Sequence, residues 1–244
     1  MRAMIFAAGL GTRLRPLTDR IPKALVPILG KPLLLWQIEM LKKVGLNSII
    51  INVHHKAEQI IRYLQEHRNF DCDIRISDEQ DELLETGGGL KKALTLYPSA
   101  EPTLALNVDI LSNINLKAFI EAYDNEPALV VVSHRHTQRY LAFDRDLQLR
   151  GWTNTATGQV RPEGQDLTDT QLLAFSGMQI VSPCIMDDMQ QIHTNKFSLI
   201  DLYMNIIEKK GSIKAFIPDD YQMMDVGKIE QLTEVEQWAN EWLM

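Results

Sequence analysis

The sequence predicts an α/β fold: a mostly parallel central sheet covered by helices, with a small peripheral β lobe. Three observations lead there. Apolar runs of strand length alternate with amphipathic helical segments through the first 135 residues, the pattern of strands buried on both faces by crossover helices. From 140 to 172 the chain turns polar and rich in turn residues, so a hairpin or small antiparallel excursion is expected there instead of another repeat. Finally, 244 residues with 45% hydrophobic and 23% charged side chains are enough to bury a sizeable core.

The elements follow in order. Residues 3–8 form an apolar run that breaks into Gly9-Leu10-Gly11-Thr12-Arg13, a buried strand running into a loop too small and too basic for core. Residues 32–44 place Leu33, Leu34, Ile38, Leu41 and Val44 at helical spacing, with Gly45 as the closing residue. Strands are predicted at 48–53 and 73–77, with a helix at 57–66 that carries Ile60, Ile61 and Leu64 on one face. A glycine cluster after Leu83 is read as a loop that runs into the helical KKALTL. Then come a strand at 102–107 that ends near Asp109, a helix at 116–123 and a strand at 128–133. Later segments are a strand at 174–181, a helix at 198–209, short strands at 212–217 and 221–226, and a closing helix at 229–242. With no low-complexity linker, charge run or internal repeat, the chain reads as one domain over 1–244, a core at 1–135 and a second part at 136–244.

The bulk charge narrows the functions. A net charge of −7 argues against sequence-independent nucleic-acid binding, which needs a basic face. Cys72 and Cys184 stand at no metal-ligand spacing and are expected to be two buried free thiols in a reducing cytoplasm. The apolar run after Met1 is too short for a signal peptide, and no stretch approaches a membrane span. A cytoplasmic protein without a membrane partner is expected.

In parallel sheets, ligands sit beyond the carboxyl ends of the strands, where both the glycine loop and Asp109 fall. Gly9 and Gly11 let backbone N–H groups approach an anion, and Arg13, Arg15 and Lys23 add charge and donors. A polyphosphate cradle is the reading. The Walker pattern of glycine, four residues and Gly-Lys-Ser/Thr is absent. A dinucleotide fingerprint would need a third glycine where Leu14 stands and an acidic residue about twenty positions on, and neither is found.

The longer pattern is more specific: Ala7-Ala8-Gly9, Gly11-Thr12-Arg13, Arg15-Pro16-Leu17-Thr18, Pro22-Lys23-Ala24-Leu25 and Lys31-Pro32-Leu33. It resembles the opening of the sugar-1-phosphate nucleotidyltransferases, and the resemblance continues along nearly the whole chain. Glu85-Thr86-Gly87-Gly88-Gly89 is similar to the family's second glycine-rich loop, and Asn107-Val108-Asp109 to its Asn-Gly-Asp metal motif, with valine where glycine is usual. Phe175-Ser176-Gly177-Met178 resembles the sugar-contacting strand, and Asp225-Val226-Gly227 the second metal carboxylate. The form Leu84 to Gly89, with His54-His55, looks most like the branch acting on N-acetylmuramate 1-phosphate.

The resemblance implies a Rossmann-like, GT-A type fold in which 1–135 binds nucleotide and 136–244 binds sugar. It implies attack by a sugar phosphate oxygen on the α-phosphorus of a nucleoside triphosphate, with release of pyrophosphate and formation of a nucleoside diphosphate sugar. The nucleophile is already an anion, so charge neutralisation and in-line positioning carry the catalysis. Asp109 and Asp225 would share one Mg²⁺, Arg13 would hold pyrophosphate with the Gly11 and Thr12 amides, and Lys23 would bridge the two anions. Arg13, Lys23 and Asp109 are thus the catalytic residues implied. Ala8, Gly9, Glu79 and Gly88 would meet the nucleotide, and Asn107 and Gly177 the sugar. Glu79 accepts from either uracil or guanine, so UTP on N-acetylmuramate 1-phosphate stands beside guanylyl or thymidylyl transfer to mannose or glucose 1-phosphate and, more distantly, phosphocholine with CTP. The family's Glu-Lys-Pro triplet before the sugar strand has no counterpart between 151 and 170.

Plainer roles exist for several of these residues. Asp109 and Asn107 suit a turn, His54 and His55 a loop at the sheet edge, and Trp36, Trp238 and the Met223-Met224 pair suit packing; Trp152 lies near the variable lobe and is a candidate substrate contact. A non-catalytic nucleotide-sugar sensor would have no need of both aspartates with Lys23. A metal-dependent glycosyltransferase would carry Asp-x-Asp where this chain has Asn107-Val108-Asp109. The short stretch after Asp225 is expected to carry no added acyltransferase or regulatory domain.

Overall fold

Branched aliphatic side chains determine where the strands form. In the computed structural model, which describes residues 1–243, the elements in chain order are β1 (Arg2–Phe6), β2 (Pro27–Ile28), β3 (Lys31–Pro32), α1 (Leu33–Lys43), β4 (Ser48–Val53), α2 (Ala57–Glu66), β5 (Asp73–Asp78) and α3 (Glu85–Leu96). Next come β6 (Thr103–Asn107), β7 (Ile110–Ser112), α4 (Leu116–Glu121), β8 (Ala128–Ser133), β9 (Arg139–Phe143), β10 (Leu149–Asn154), β11 (Gln159–Arg161) and β12 (Gln171–Val181). The chain ends with α5 (Ile185–Gln190), α6 (Leu199–Glu208), β13 (Ile213–Phe216), β14 (Met223–Asp225) and α7 (Leu232–Trp242). They gather into two units interleaved along the chain, one of residues 1–83, 105–116 and 221 onward, the other of 84–104 and 117–220.

In the first unit β1, β4 and β5 are parallel, with Ala3 opposite Ile49 and Ile49 opposite Ile74. Ile49, Ile50, Ile51 and Val53 of β4 are buried, each worth roughly 1.5–3 kcal/mol relative to exposure. Helix α1 buries Leu33, Leu34, Ile38 and Leu41, as their spacing predicts, and α2 buries Ala57, Ile60 and Leu64, whereas Ile61, expected on the same face, is only half-buried. Gly45, at φ 79°, ends α1, with the Leu46 amide donating back to the Leu41 carbonyl. The two shortest strands here, β7 and β14, pair antiparallel, with Asp225 opposite Ile110.

The second unit holds a mixed sheet in the order β13-β8-β12-β9-β10-β11. Strand β12 pairs with β9 through 171–173 and then with β8, and its register to β8 shifts between Phe175 and Gln179. Gly177 sits in that bulge at φ 71°, a conformation that favours glycine. Helix α6 starts in a reciprocal capping box, Ser198 and Asp201 each accepting from the other's amide. Leu202, Tyr203 and Ile206 form its buried face; burial pushes the Tyr203 phenol well above its usual range.

The predicted α/β class holds, and the excursion expected over 140–172 is the antiparallel β9-β10-β11 edge. Four expectations need correction. The glycine cluster is not a loop: Gly87, Gly88 and Gly89 lie in the first turns of α3. The thiols are not both buried, since Cys184 is exposed and Cys72 is half-buried; burial still raises the Cys72 thiol. Met223 and Met224 are likewise half-buried, because the three-residue β14 has only one ladder partner, β7. The closing helix starts at Leu232 after a single 3-10 turn. Among the described residues no helix is long and apolar enough to cross a membrane.

Candidate active site

Beyond Phe6 the backbone leaves β1 and runs without regular structure until Gly11, at φ 64°, turns it into a short 3-10 turn over Thr12–Leu14. Buried Leu14 anchors that turn. A Cβ on Gly11 would come within 2.8 Å of Thr18 Cγ2 and 3.2 Å of Lys23 Cβ, so this position needs glycine for both its backbone and its neighbours. Thr18 Oγ1 donates to the Gly11 carbonyl at 2.8 Å, folding the loop back on itself. Gly9 and Thr12 remain exposed, while Ala7 and Ala8 are buried.

Two cations of this loop meet the two aspartates. Lys23 Nζ forms an ion pair with Asp109 Oδ2, the side chains being only 10% and 21% exposed. Arg13 Nη2 lies 3.9 Å from Asp225 Oδ2, with side chains 59% and 48% exposed. These contacts differ in strength. Breaking a largely buried pair costs about 3–5 kcal/mol, whereas an exposed pair is worth about 0–1 kcal/mol. Lys23 is therefore fixed on Asp109, and the Arg13 guanidinium remains available to a stronger anion. Gly227 makes room for it: a Cβ there would lie 2.9 Å from Arg13 Nη1 and 3.0 Å from Asp225 Oδ1.

The two aspartates, far apart in sequence, are joined through backbone. Asp109 occupies the turn between β6 and β7, and its carbonyl accepts from the Val226 amide at 2.9 Å. The β7–β14 ladder then brings Asp225 alongside. Val108, where the resemblance leads one to expect glycine, is buried and donates its amide to the Phe6 carbonyl at 3.1 Å. Asn107 ends β6, half-buried.

Two residues in this unit gave no sequence signal of a role. Gln37 on α1 is buried, and its Nε2 donates to the Val108 and Ile110 carbonyls at 3.3 and 2.7 Å. It thus clamps the backbone on both sides of Asp109. Asn52, at the end of β4, accepts from the Ala7 amide and donates to Glu79 Oε1, both at 2.7 Å. Glu79 is buried, and its carbonyl lies 2.6 Å from His54 Nδ1, so His54 is a hydrogen-bonded residue at the end of the sheet. A polar residue inside the buried SIIINV run was the available clue to Asn52; Gln37 looks like any helix position.

Gly88 and Gly177 belong to the second unit. The Gly87 and Gly88 amides both donate to the Phe197 carbonyl, at 2.9 and 3.0 Å. A Cβ on Gly88 would fall 2.0 Å from the Asn195 carbonyl oxygen. Close packing of α3 on the 195–198 segment thus accounts for these glycines, and it occupies the N–H that nucleotide binding at Gly88 would use. Among the described residues no group of three or more His, Cys, Asp or Glu is placed to hold a metal ion, which leaves the aspartate pair as the metal-binding candidate.

A parallel sheet with a glycine turn and paired cations and carboxylates beyond it defines a phosphate-handling transferase. Residues 2–143 match the family described as Nucleotidyl transferase, and the chain belongs to that family. It is 30% identical to the N-acetylmuramate alpha-1-phosphate uridylyltransferase of Neisseria meningitidis, across 99% of this chain and 100% of the relative. The protein of that description from Caulobacter vibrioides is 34% identical across 84% of this chain and 83% of its own. The crystal structure of HddC from Yersinia pseudotuberculosis complexed with GMP-PN has a TM-score of 0.76 at 25% identity and covers 97% of this chain and 98% of its own.

Proposed function

We propose that this chain transfers a uridylyl group from UTP to a sugar 1-phosphate, N-acetylmuramate 1-phosphate, releasing pyrophosphate in a Mg²⁺-dependent reaction in the cytoplasm. The observation that carries the reading is the double pairing of Lys23 with Asp109 and Arg13 with Asp225 beside the Gly11 turn. The relatives in Neisseria and Caulobacter support the choice of substrates. Asp109 and Asp225 offer only carboxylate oxygens, which fits a hard cation that takes its remaining ligands from phosphate and water. Bound there, the cation supplies positive charge to phosphate oxygens.

The chain's own groups do the rest. The Gly11 turn and the 3-10 turn after it present amides to the triphosphate. Arg13, weakly held by Asp225, moves to the departing pyrophosphate and stabilises the charge it gains. Lys23 lowers the repulsion between the α-phosphate and the incoming sugar phosphate, and no general base is needed. Glu79, held by Asn52, accepts an N–H of the base, while Ala8 and Gly9 line it through backbone; Gly88, its amide engaged by the Phe197 carbonyl, is left out of the nucleotide site. Asn107 and Gly177 contact the sugar.

Guanylyl or thymidylyl transfer to mannose or glucose 1-phosphate is the second reading, favoured by the GMP-PN complex of the Yersinia structure. Pyrophosphate release from UTP, GTP, CTP and dTTP, each with N-acetylmuramate, N-acetylglucosamine, glucose and mannose 1-phosphates, separates the two. Turnover that requires UTP and N-acetylmuramate 1-phosphate is expected. Silence across the panel, with tight binding of a nucleotide sugar, would replace the enzyme by a sensor.

A further inference from the structure

Residues 133–139, Ser-His-Arg-His-Thr-Gln-Arg, carry two arginines and two histidines and no carboxylate, in a chain of net charge −7. His134, Arg135, His136 and Arg139 are all exposed. The segment is nevertheless firmly held. The Thr137 amide donates to Tyr140 Oη at 3.0 Å, the Gln138 carbonyl accepts from the Thr155 amide at 2.8 Å, and Arg135 Nη2 donates to the Phe175 carbonyl at 3.0 Å. Among the described residues, neither arginine forms an ion pair. An acidic protein that holds this loop by its backbone and carries two arginines on it without an ion pair among the described residues presents an anion site.

The neighbouring strand narrows the kind of anion. Ser133 pairs with Ala174 and Val132 with Phe175, so the loop leaves β8 at the strand positions just before the Gly177 bulge of β12. In that bulge Ser176 Oγ and Gln179 Nε2 are buried and have no hydrogen-bond partner, each residue being 1% exposed. Unsatisfied buried polar groups are rare and call for an explanation. Arg135 reaches β12 at the Phe175 carbonyl, beside Ser176, while the Gln179 side chain faces Tyr203 of α6; one arginine fork thus lies along a strand segment with a donor to spare. A carboxylate, planar and acceptor-only, matches the forked donors of arginine.

We propose that the 133–139 loop, with the Gly177 bulge, forms a subsite for a carboxylate carried by the sugar itself, separate from its phosphate. The inference rests on the sugar 1-phosphate reading above and deepens it. N-acetylmuramate differs from N-acetylglucosamine only by a lactyl ether that ends in a carboxylate, so this pair of sugars isolates the group in question. Arg135 and Arg139 hold the carboxylate, and the 1-phosphate is bound elsewhere.

The test measures kcat/KM for N-acetylmuramate 1-phosphate and N-acetylglucosamine 1-phosphate, with UTP and Mg²⁺, in the full chain and in Arg135→Gln, Arg139→Gln and Arg145→Gln. The unsubstituted chain prefers the acidic sugar. Each of the first two substitutions lowers that ratio about tenfold or more, through KM for the acidic sugar. Arg145, exposed in the turn after β9, serves as the charge control, and its loss leaves the ratio unchanged. Arg139→Gln removes no hydrogen bond to the fold, so misfolding does not mask the result. A neutral sugar phosphate used as well as the acidic one, or a preference that survives both substitutions, overturns the carboxylate subsite but leaves nucleotidyl transfer standing. No turnover of any sugar phosphate overturns the functional reading itself.

Discussion

The glycine-loop site of the first unit and the 133–139 loop of the second handle charge in opposite ways. In the first, each cation of the glycine loop already meets a carboxylate, and the carboxylates stand on a fixed backbone: the Asp109 carbonyl accepts from the Val226 amide, its neighbours Val108 and Ile110 are held by Gln37, and Asp225 is placed by the β7 ladder. In the second, Arg135 and Arg139 face solvent without a counter-ion, and the Gly177 bulge leaves two buried donors without partners. A set of groups already paired, with Lys23 fixed and Arg13 loosely held, suits the constant task proposed for it, the handling of triphosphate charge. A set left open suits the variable part of the reaction, the choice of sugar.

The sharpest way to break this contrast is to remove a carboxylate from the first unit. Asp109→Asn and Asp225→Asn are each expected to lower turnover by about 10³-fold, read as pyrophosphate release; full activity in both would end the metal assignment. Gln37→Met comes next. It keeps the side-chain volume but withdraws both donors from the carbonyls that flank Asp109. Changes to groups that orient a metal ligand cost about 10–100-fold in metal affinity or activity. Turnover against divalent-cation concentration should therefore shift its midpoint upward, with KM for the triphosphate little changed. A loss of melting temperature with an unshifted midpoint would make Gln37 purely structural.

The smallest effect belongs to the second unit and concerns stability. Ser198→Ala removes one side of the α6 capping box and should cost about 1 kcal/mol, visible in denaturant unfolding with turnover retained. Burial pushes the Asp201 carboxyl up, but the Ser198 amide and hydroxyl and the Arg161 guanidinium outweigh it and hold the group below its ordinary value of 3.8. A depressed folded pKa stabilises fully above the unfolded value and loses that stabilisation as pH falls through the folded one. Acid unfolding should therefore draw on Asp201 below about pH 4, and less so in Ser198→Ala. An unchanged acid limb in that variant would show that the cap does not hold the charge.

Much of the fold was legible because SIIINV and ALVVVS can scarcely be anything but buried strands, and because α2 shows its apolar stripe openly. The Gly11 turn, Lys23 and Asp109 were legible as a group, since each stands beyond a strand recognisable by itself. Strand β14 falls within the short strand expected at 221–226, but the three-residue β7 is too short for any periodicity, so the ladder that joins Asp109 to Asp225 could not be read from the sequence. Gly87 to Gly89 read as a loop because glycine is a poor helix former, and the packing of Asn195 and Phe197 against them overrides that preference. The interleaving of the two units, with 84–104 leaving and 105–116 returning, depends on contacts that local sequence does not report.

The pairing of β7 with β14 also sets an order of events during synthesis. The glycine loop, Lys23 and Asp109 are made first, and Asp225 and the Val226 amide that grips the Asp109 turn follow much later in the sequence. A growing chain carries phosphate-binding elements long before it owns its second carboxylate, and closing so distant a contact is entropically demanding. On the proposed assignment turnover waits for β14, and a chain stopped short of it is expected to bind nucleotide without turning it over.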